Sequence, residues 1–348
     1  MATERKRGAC GVWRGTAALG LCLCSSFGLA AEPKGKACQP PPASTIVVNV
    51  KDKGAKGDGR TDDTAAIQAA IDAVAGTKGT VLVPDGVYMI QAVRWGLQLK
   101  SGMTFKLAPG ATLKAIPNGA ERYVLLRIAG ASNVWVTGGT LEGERHQHKN
   151  KAGQWGMGIH ISRGSSHITV TQVTSKNMWG DGFYIQGAED VRLCQVFADN
   201  NRRQGLSIIN VKNLLVTDSV FQNTHGTRPG AGIDVEPDHA EQAVSGVRIE
   251  NSKFINNAGG GVRLNAKKGY VSGLVMTGNL FKDNTPFVIK NAAENATLIC
   301  GNRQEGTQTV TTDGFSSFAE PIRIVSHQTE CGETSFVKTR GAPRKPRR

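Results

Sequence analysis

Six short segments of the chain superimpose: Gly158-Ile159-His160-Ile161-Ser162, Gly182-Phe183-Tyr184-Ile185-Gln186, Gly205-Leu206-Ser207-Ile208-Ile209, Gly232-Ile233-Asp234-Val235-Glu236, Gly261-Val262-Arg263-Leu264-Asn265 and Pro286-Phe287-Val288-Ile289-Lys290. Their starts lie 24, 23, 27, 29 and 25 residues apart. A repeat of this length with strand-type alternation is the signature of a β-solenoid, in which each repeat is one turn of a coil. The second and fourth positions are apolar in every segment and point into the coil, so the third and fifth point outward. The third column reads His160, Tyr184, Ser207, Asp234, Arg263, Val288; the fifth reads Ser162, Gln186, Ile209, Glu236, Asn265, Lys290. Neighbouring turns stack about 4.8 Å apart, so His160 is expected beside Tyr184 and Asp234 beside Arg263.

A second register accompanies the first. Phe197, Phe221, Phe254 and Phe281 are each followed two positions later by Asp199, Asn223, Asn256 or Asp283. This reads as an internal aromatic stack with a polar ladder at the turn beside it. The 43 glycines of the 348 residues suit a fold that turns sharply in every repeat. Ahead of the repeats, Ala65–Ala73 reads as a helix with an apolar face of Ile67, Ala70, Ile71 and Val74; Asp62, Asp63 or Thr64 can cap its N-terminus. A solenoid needs its open end covered, and this helix is assigned that role. The glycines before it have the spacing of neither a P-loop nor a dinucleotide-binding turn.

The expected organisation is a secretory signal peptide over 1–30, a proline-rich leader over 31–45, a β-helix domain over 46–335 and a basic disordered tail over 336–348. The signal peptide rests on basic Arg5, Lys6, Arg7 and Arg14, the apolar run Gly15–Ala30 and the small residues Gly28 and Ala30. Export permits disulfides among Cys38, Cys194, Cys300 and Cys331, with all three pairings open. No stretch is long and apolar enough to span a membrane as a helix. The formal net charge of +14 suits an acidic substrate, and export argues against nucleic acid. The chain is expected to be a secreted or periplasmic monomer.

The segment Gly57-Asp58-Gly59-Arg60-Thr61-Asp62-Asp63-Thr64 with its helix, the stretch Leu-Lys-Ser-Gly-Met-Thr-Phe-Lys-Leu-Ala-Pro-Gly-Ala-Thr-Leu over 99–113, and the repeats resemble the pectate-lyase superfamily. The resemblance covers roughly residues 46–300 and implies an all-β, single-stranded right-handed parallel β-helix. That superfamily holds lyases, polygalacturonase-like hydrolases, alginate epimerases and phage tailspikes, so the resemblance does not choose the reaction.

The candidate catalytic residues are His160, Tyr184, Asp181, Asp234, Glu236 and Arg263. Trp155, Trp179, Arg202, His225, Arg228, Asn265 and Lys290 are candidates for substrate binding, with His146 and His148 behind them. Two chemistries compete. Proton abstraction beside a uronate carboxylate needs a cation for the carboxylate, a base and an acid; Arg263, His160 or His225, and Tyr184 would fill those roles. Hydrolysis needs two carboxyls flanking the glycosidic bond, here from Asp181, Asp234 and Glu236. Against the hydrolases, Asp181-Gly182 resembles the end of an Asn-Thr-Asp-Gly motif and Val262–Asn265 an Arg-Ile-Lys motif with asparagine for lysine. Their paired aspartates, however, fall at Arg203 and Gln204, and their histidine at Ala231. Against the epimerases, Asp234 matches the aspartate of an Asp-x-His pair, with Glu236 in place of the histidine. The basic charge favours proton abstraction on a uronate polymer. The remaining readings are a non-catalytic glycan-binding β-helix and a merely structural Arg263–Asp234 ion pair. Calcium is possible through Asp234, Glu236 and Asp238; no other metal or cofactor is indicated.

Overall fold

The coil has three walls. A computed structural model describes residues 38, 40–41, 43–266, 269–291 and 297–306, so the expected signal peptide, most of the leader, Cys331 and the basic tail lie outside the described residues. All paired strands are parallel and belong to two sheets, one of sixteen strands and one of ten. The larger sheet makes two walls, because Trp155–Thr171, Asp181–Cys194 and Gln204–Thr217 each run along one wall, bend and continue along the next. The ten-stranded sheet, from Asp58–Asp62 to Arg303–Glu305, closes the third side. The fold is a right-handed parallel β-helix: a parallel coil, as the repeat implies, of the kind that the family resemblance implies.

The first wall carries the predicted columns. Its pairs run Gln98↔Arg127, Arg127↔His160, His160↔Tyr184, Tyr184↔Ser207, Ser207↔Asp234, Asp234↔Arg263 and Arg263↔Val288. The third column is therefore continuous and begins two turns earlier than the aligned segments. Inside it, Ile159, Phe183, Leu206, Ile233, Val262 and Phe287 form one buried column, with Ile161, Ile185, Ile208, Val235 and Leu264 forming another.

The fifth column departs from expectation at two points. Gln186 pairs with Asn210 across a register shift, so Ile209 is buried and does not face solvent. Asn265 pairs with Asn291, which displaces Lys290 by one position. Both are β-bulge-type irregularities, which insert one residue and re-aim those that follow.

The glycine that opens each of the first five segments is there for space. A Cβ on Gly205 would lie 2.4 Å from the Gly232 carbonyl oxygen, and one on Gly232 would lie 2.7 Å from that of Gly261. The aromatic stack is also one position shorter than predicted. Phe221, Phe254 and Phe281 are in register and stack at 5.5 and 4.9 Å. Phe197 instead pairs with Val220 and is only half-buried, while Ala198 takes the stack position beneath Phe221. The turn beside the stack is a ladder of left-handed residues, Asn177, Asn200, Asn223, Asn256 and Asp283. Asparagine and aspartate tolerate that conformation. Asn200 donates to Asn177 at 2.7 Å and Asn256 to Asn223 at 2.9 Å.

The helix is Thr64–Val74, with Ile67, Ala70, Ile71 and Val74 buried as its pattern requires. It packs against the strands Val47–Asn49, Thr80–Val83 and Leu97–Leu99. Asp62, not Asp63, serves its first turn by accepting from the Thr64 backbone N–H. Buried Asp63 turns away to hold the Lys56 and Gly57 N–H groups of the preceding loop. Cys38 and Cys194 form a disulfide that closes 156 residues of chain. Cys300 is also disulfide-bonded. Among the described residues no helix is long and apolar enough to cross a membrane.

Candidate active site

A buried carboxylate–arginine cluster occupies the middle of the first wall. Asp181 and Asp234 have no exposed surface, and Glu236 and Arg203 have little. Arg203 Nη1 donates to Asp181 Oδ2 at 3.0 Å and Nη2 to Glu236 Oε1 at 2.7 Å. Ser207, the column residue between Tyr184 and Asp234, donates its hydroxyl to Asp181 Oδ2 at 3.0 Å. Gln204 donates to Asp234 Oδ2 at 2.8 Å while its carbonyl oxygen accepts from the Ala231 N–H. Arg263 Nε lies 3.7 Å from Asp234 Oδ1, an ion pair without a hydrogen bond.

Burial sets the electrostatics. It pushes the Asp181 carboxyl up to about 6, a rise that Arg203 opposes and the Glu236 charge reinforces. Asp234 is raised well above the usual carboxylate range by burial and then by Glu236, against the pull of Arg263 and Arg203. Burial works against the charge on Arg203, but Asp181 and Glu236 more than compensate and hold it firmly protonated.

One turn toward the N-terminal end, the environment changes sign. His160 and Tyr184 meet edge to face with centroids 5.2 Å apart. Neither His160 nitrogen has a hydrogen-bond partner among the described residues. Burial, followed by the charges of Arg127, Arg122 and Arg163, drives the His160 pKa down to about 4, so the imidazole is neutral at pH 7. Tyr184 is raised above its ordinary range by burial and by Asp181 and Glu236, and keeps its proton. Arg122 sits over the Trp155 ring at 5.1 Å and Arg127 over the Trp95 ring at 4.5 Å.

Several expected binding residues lie elsewhere. Trp179 is only 8% exposed. His148 stacks on it at 3.9 Å, and the Arg202 guanidinium lies over it at 3.7 Å. With both packed against it, Trp179 is an internal wedge rather than a platform for sugar. Arg202 Nη1 donates to the Gly153 carbonyl, which fixes its guanidinium over the Trp179 ring. The His148 side chain is itself buried, with Nδ1 2.8 Å from Glu144 Oε1, so the polar insertion over 142–155 turns these two side chains inward. His146 Nε2 meets Asn200 on the turn ladder. His225 is exposed, with Nδ1 against the Asn223 carbonyl, and Arg228 is exposed on the same insertion; neither is bonded to the cluster. Arg263 cannot act on the same sugar carboxylate as His160, because four strand spacings of about 4.8 Å separate them. Asn265 ends the strand Val262–Asn265 beside Arg263, and the Lys290 side chain lies outside the described residues.

Calcium does not fit the proposed donors. Arg263 and Arg203 already neutralise Asp234 and Glu236, while Asp238 is exposed beyond the strand end. Among the described residues no group of three or more His, Cys, Asp or Glu converges as a metal site.

In the sequence Arg203 stands only where the hydrolases carry an aspartate and has no role of its own, yet it is the centre of the cluster. Its signal is its place two residues before Gly205, in line with the loop that delivers Asp181 just before Gly182. Arg127 is equally readable: the strand Arg122–Ala129 extends the third column one turn below His160.

Residues 47–279 match the family model described as rhamnogalacturonase A/epimerase, pectate lyase-like. Among curated relatives, the mannuronan C5-epimerase AlgE4 of Azotobacter vinelandii is 36% identical over 190 residues, covering 50% of this chain and 33% of that protein. The uncharacterized protein YclG of Bacillus subtilis is 28% identical over 297 residues, covering 74% of this chain and 48% of that protein. The exo-poly-alpha-D-galacturonosidase of Dickeya chrysanthemi is 48% identical over 75 residues, covering 22% and 12%. The chain thus spans less than half the length of these relatives. A solved structure, the family 28 exopolygalacturonase of Yersinia enterocolitica, superimposes with a TM-score of 0.60 at 19% identity, covering 77% of this chain and 59% of that one. The match over 47–279 and the parallel coil agree, and the chain belongs to the rhamnogalacturonase A/epimerase, pectate lyase-like family.

Proposed function

We propose that this protein processes an acidic, uronate-containing polysaccharide by removing the proton beside the sugar carboxylate, as a C5-epimerase or a lyase. The observation that carries this reading is His160: a neutral imidazole with both nitrogens unbonded among the described residues, in edge contact with a protonated Tyr184, amid arginine charge. A base for this step must be unprotonated, and the carbanion it creates must be stabilised by positive charge on the carboxylate. His160 takes the C5 proton, and the electron pair delocalises into the carboxylate, which Arg122 neutralises. Tyr184 then returns a proton, to the opposite face of C5 in an epimerase or to the departing glycosidic oxygen in a lyase. Arg122 fills the role that the sequence pattern offers to Arg263, because its charge reaches both His160 and Tyr184. The similarity to a mannuronan C5-epimerase supports the same class.

Hydrolysis is the second reading, favoured by Asp181: a carboxyl titrating near 6 suits a general acid. Against it, Asp181 and Glu236 are tied to one arginine and do not flank an open groove. Pectate, polymannuronate and polyguluronate should be assayed for ultraviolet-absorbing unsaturated ends, new reducing ends and altered C5 configuration. Unsaturated ends or altered configuration, lost by at least ~100-fold in His160→Gln, is the expected outcome. Reducing ends alone, with a rate that falls above pH 6 as Asp181 ionises, would establish the hydrolase instead. No turnover on any polymer would leave a glycan-binding role. Export to an oxidising compartment is part of this proposal; the Cys38–Cys194 disulfide supports it.

A further inference from the structure

The cations near His160 are unlike those in the carboxylate cluster. Arg203 and Arg263 have acidic partners, but Lys100, Arg122, Arg127 and Arg163 make no ion pair among the described residues. Lys100 and Arg127 line the same pocket, a cavity of about 120 Å³ at the corner where the first wall turns into the second, together with Gln98, Ser101, Gly130 and Ala131. That is several times the ~10–15 Å³ that admits a single water, room for a carboxylate group.

The pocket is built rather than incidental. Arg127 is only 9% exposed, and its Nε has no hydrogen-bond partner among the described residues. Its guanidinium is fixed against Trp95, and that ring is held by three successive left-handed residues: Arg94 at φ 66°, Trp95 at φ 84° and Gly96 at φ 52°. Such conformations are costly for arginine and tryptophan and persist where the surroundings impose them. Here the loop is pressed onto the neighbouring strand, because a Cβ on Gly96 would come within 2.1 Å of the Val124 carbonyl oxygen. A guanidinium carries several N–H donors in a planar fork that matches a carboxylate, and the buried Nε of Arg127 has no partner among the described residues. Ser101 Oγ accepts from the Ser132 N–H, so its own hydrogen remains to be donated. Burial and the nearby Arg163 both work against the charge on Arg127, a cost that a bound anion would relieve.

We infer that this pocket is a subsite for the carboxylate of a second uronate, held by Arg127, Lys100 and Ser101 one turn from the sugar at His160. The inference rests on the reading of His160 as the reacting base. It adds a requirement that the base alone does not impose: the enzyme recognises at least two adjacent acidic sugars, and the chain lies along the coil axis.

The test is titration calorimetry with galacturonate and mannuronate trisaccharides and their carboxyl-reduced counterparts, on wild type, R127Q, K100Q and H160Q, alongside turnover. Wild type and H160Q are expected to bind a uronate trimer equally. R127Q should bind it about tenfold or more weakly, as loss of a charge-assisted contact requires. K100Q, at an exposed position that leaves the fold intact, should show a smaller loss of about threefold, as expected of a single partly screened charge. The carboxyl-reduced trimers should not distinguish wild type from R127Q. Unchanged uronate binding in both R127Q and K100Q, an equal loss for the reduced trimers, or failure of wild type to bind either uronate trimer would overturn the subsite. If H160Q keeps full turnover while R127Q loses binding, the catalytic reading fails and the subsite stands. If H160Q is inactive while R127Q binds normally, the reverse holds.

Discussion

Arg203 holds Asp181 with one guanidinium nitrogen and Glu236 with the other, and all three are buried. Removing one partner from a buried ion cluster leaves charge uncompensated, which costs about 3–5 kcal/mol. Arg203→Met should therefore destabilise the fold by that order in chemical denaturation, and by clearly more than Arg228→Met on the exposed insertion. His160 makes a separate, pH-dependent contribution. Its folded pKa of about 4 lies below the ordinary 6.5. The folded state thus disfavours the protonated ring. The resulting stability is fully present above pH 6.5 and is lost as pH falls through 4. The shift corresponds to about 3 kcal/mol at one pKa unit per ~1.4 kcal/mol. Denaturation midpoints from pH 7 to 4 should fall more steeply in wild type than in His160→Gln; parallel curves would show that His160 is not desolvated in solution.

At the scale of the strand, the limiting quantity is room. Glycine begins five aligned segments because there is no space for a methyl group: the next turn's carbonyl blocks it at Gly158, Gly182, Gly205 and Gly232, and the Phe281 ring blocks it at Gly261. Gly205→Ala should cost about 1–3 kcal/mol as an overpacking change, measurable as a lowered denaturation midpoint, whereas the same change at Gly164, where a Cβ meets nothing within 4 Å, tests only its left-handed backbone. The same stacking decides which contacts are legible in the amino-acid sequence. The third column is legible because alternation and repeat length together fix which residues stack, and every pair from His160 to Val288 is in register. The fifth column fails at Ile209 because a bulge after Ile208 buries a residue that strict alternation sends outward. Phe197 misleads for a similar reason: one position of slip turns a core residue into a flanking one. Trp179 resembles a sugar platform in sequence because its covering partners come from elsewhere, His148 from an insertion and Arg202 from the next turn. The Arg202 contact is within reach of the repeat, since 179 and 202 are one 23-residue period apart. The inward fold of the insertion is not, because it obeys no repeat.

Across the whole molecule, charge is ordered along the coil. Arg122, Arg127, Arg163 and Lys100 gather at the His160 end without acidic partners among the described residues, and Asp181, Asp234 and Glu236 interlock with Arg203 and Arg263 farther along. An anionic polymer lying on the first wall would meet the cationic end directly, while the carboxylate cluster beyond it forms the support under Tyr184 and Ser207. On this account the reaction begins with breakage of a C–H bond at C5, a step that hydrolysis does not include. The most direct measurement is NMR of uronate polymers incubated with the enzyme in deuterium oxide. Deuterium at C5 of recovered sugars, or the loss of the C5 proton in unsaturated ends, is expected in wild type and not in His160→Gln. Turnover that leaves every C5 proton in place would contradict it.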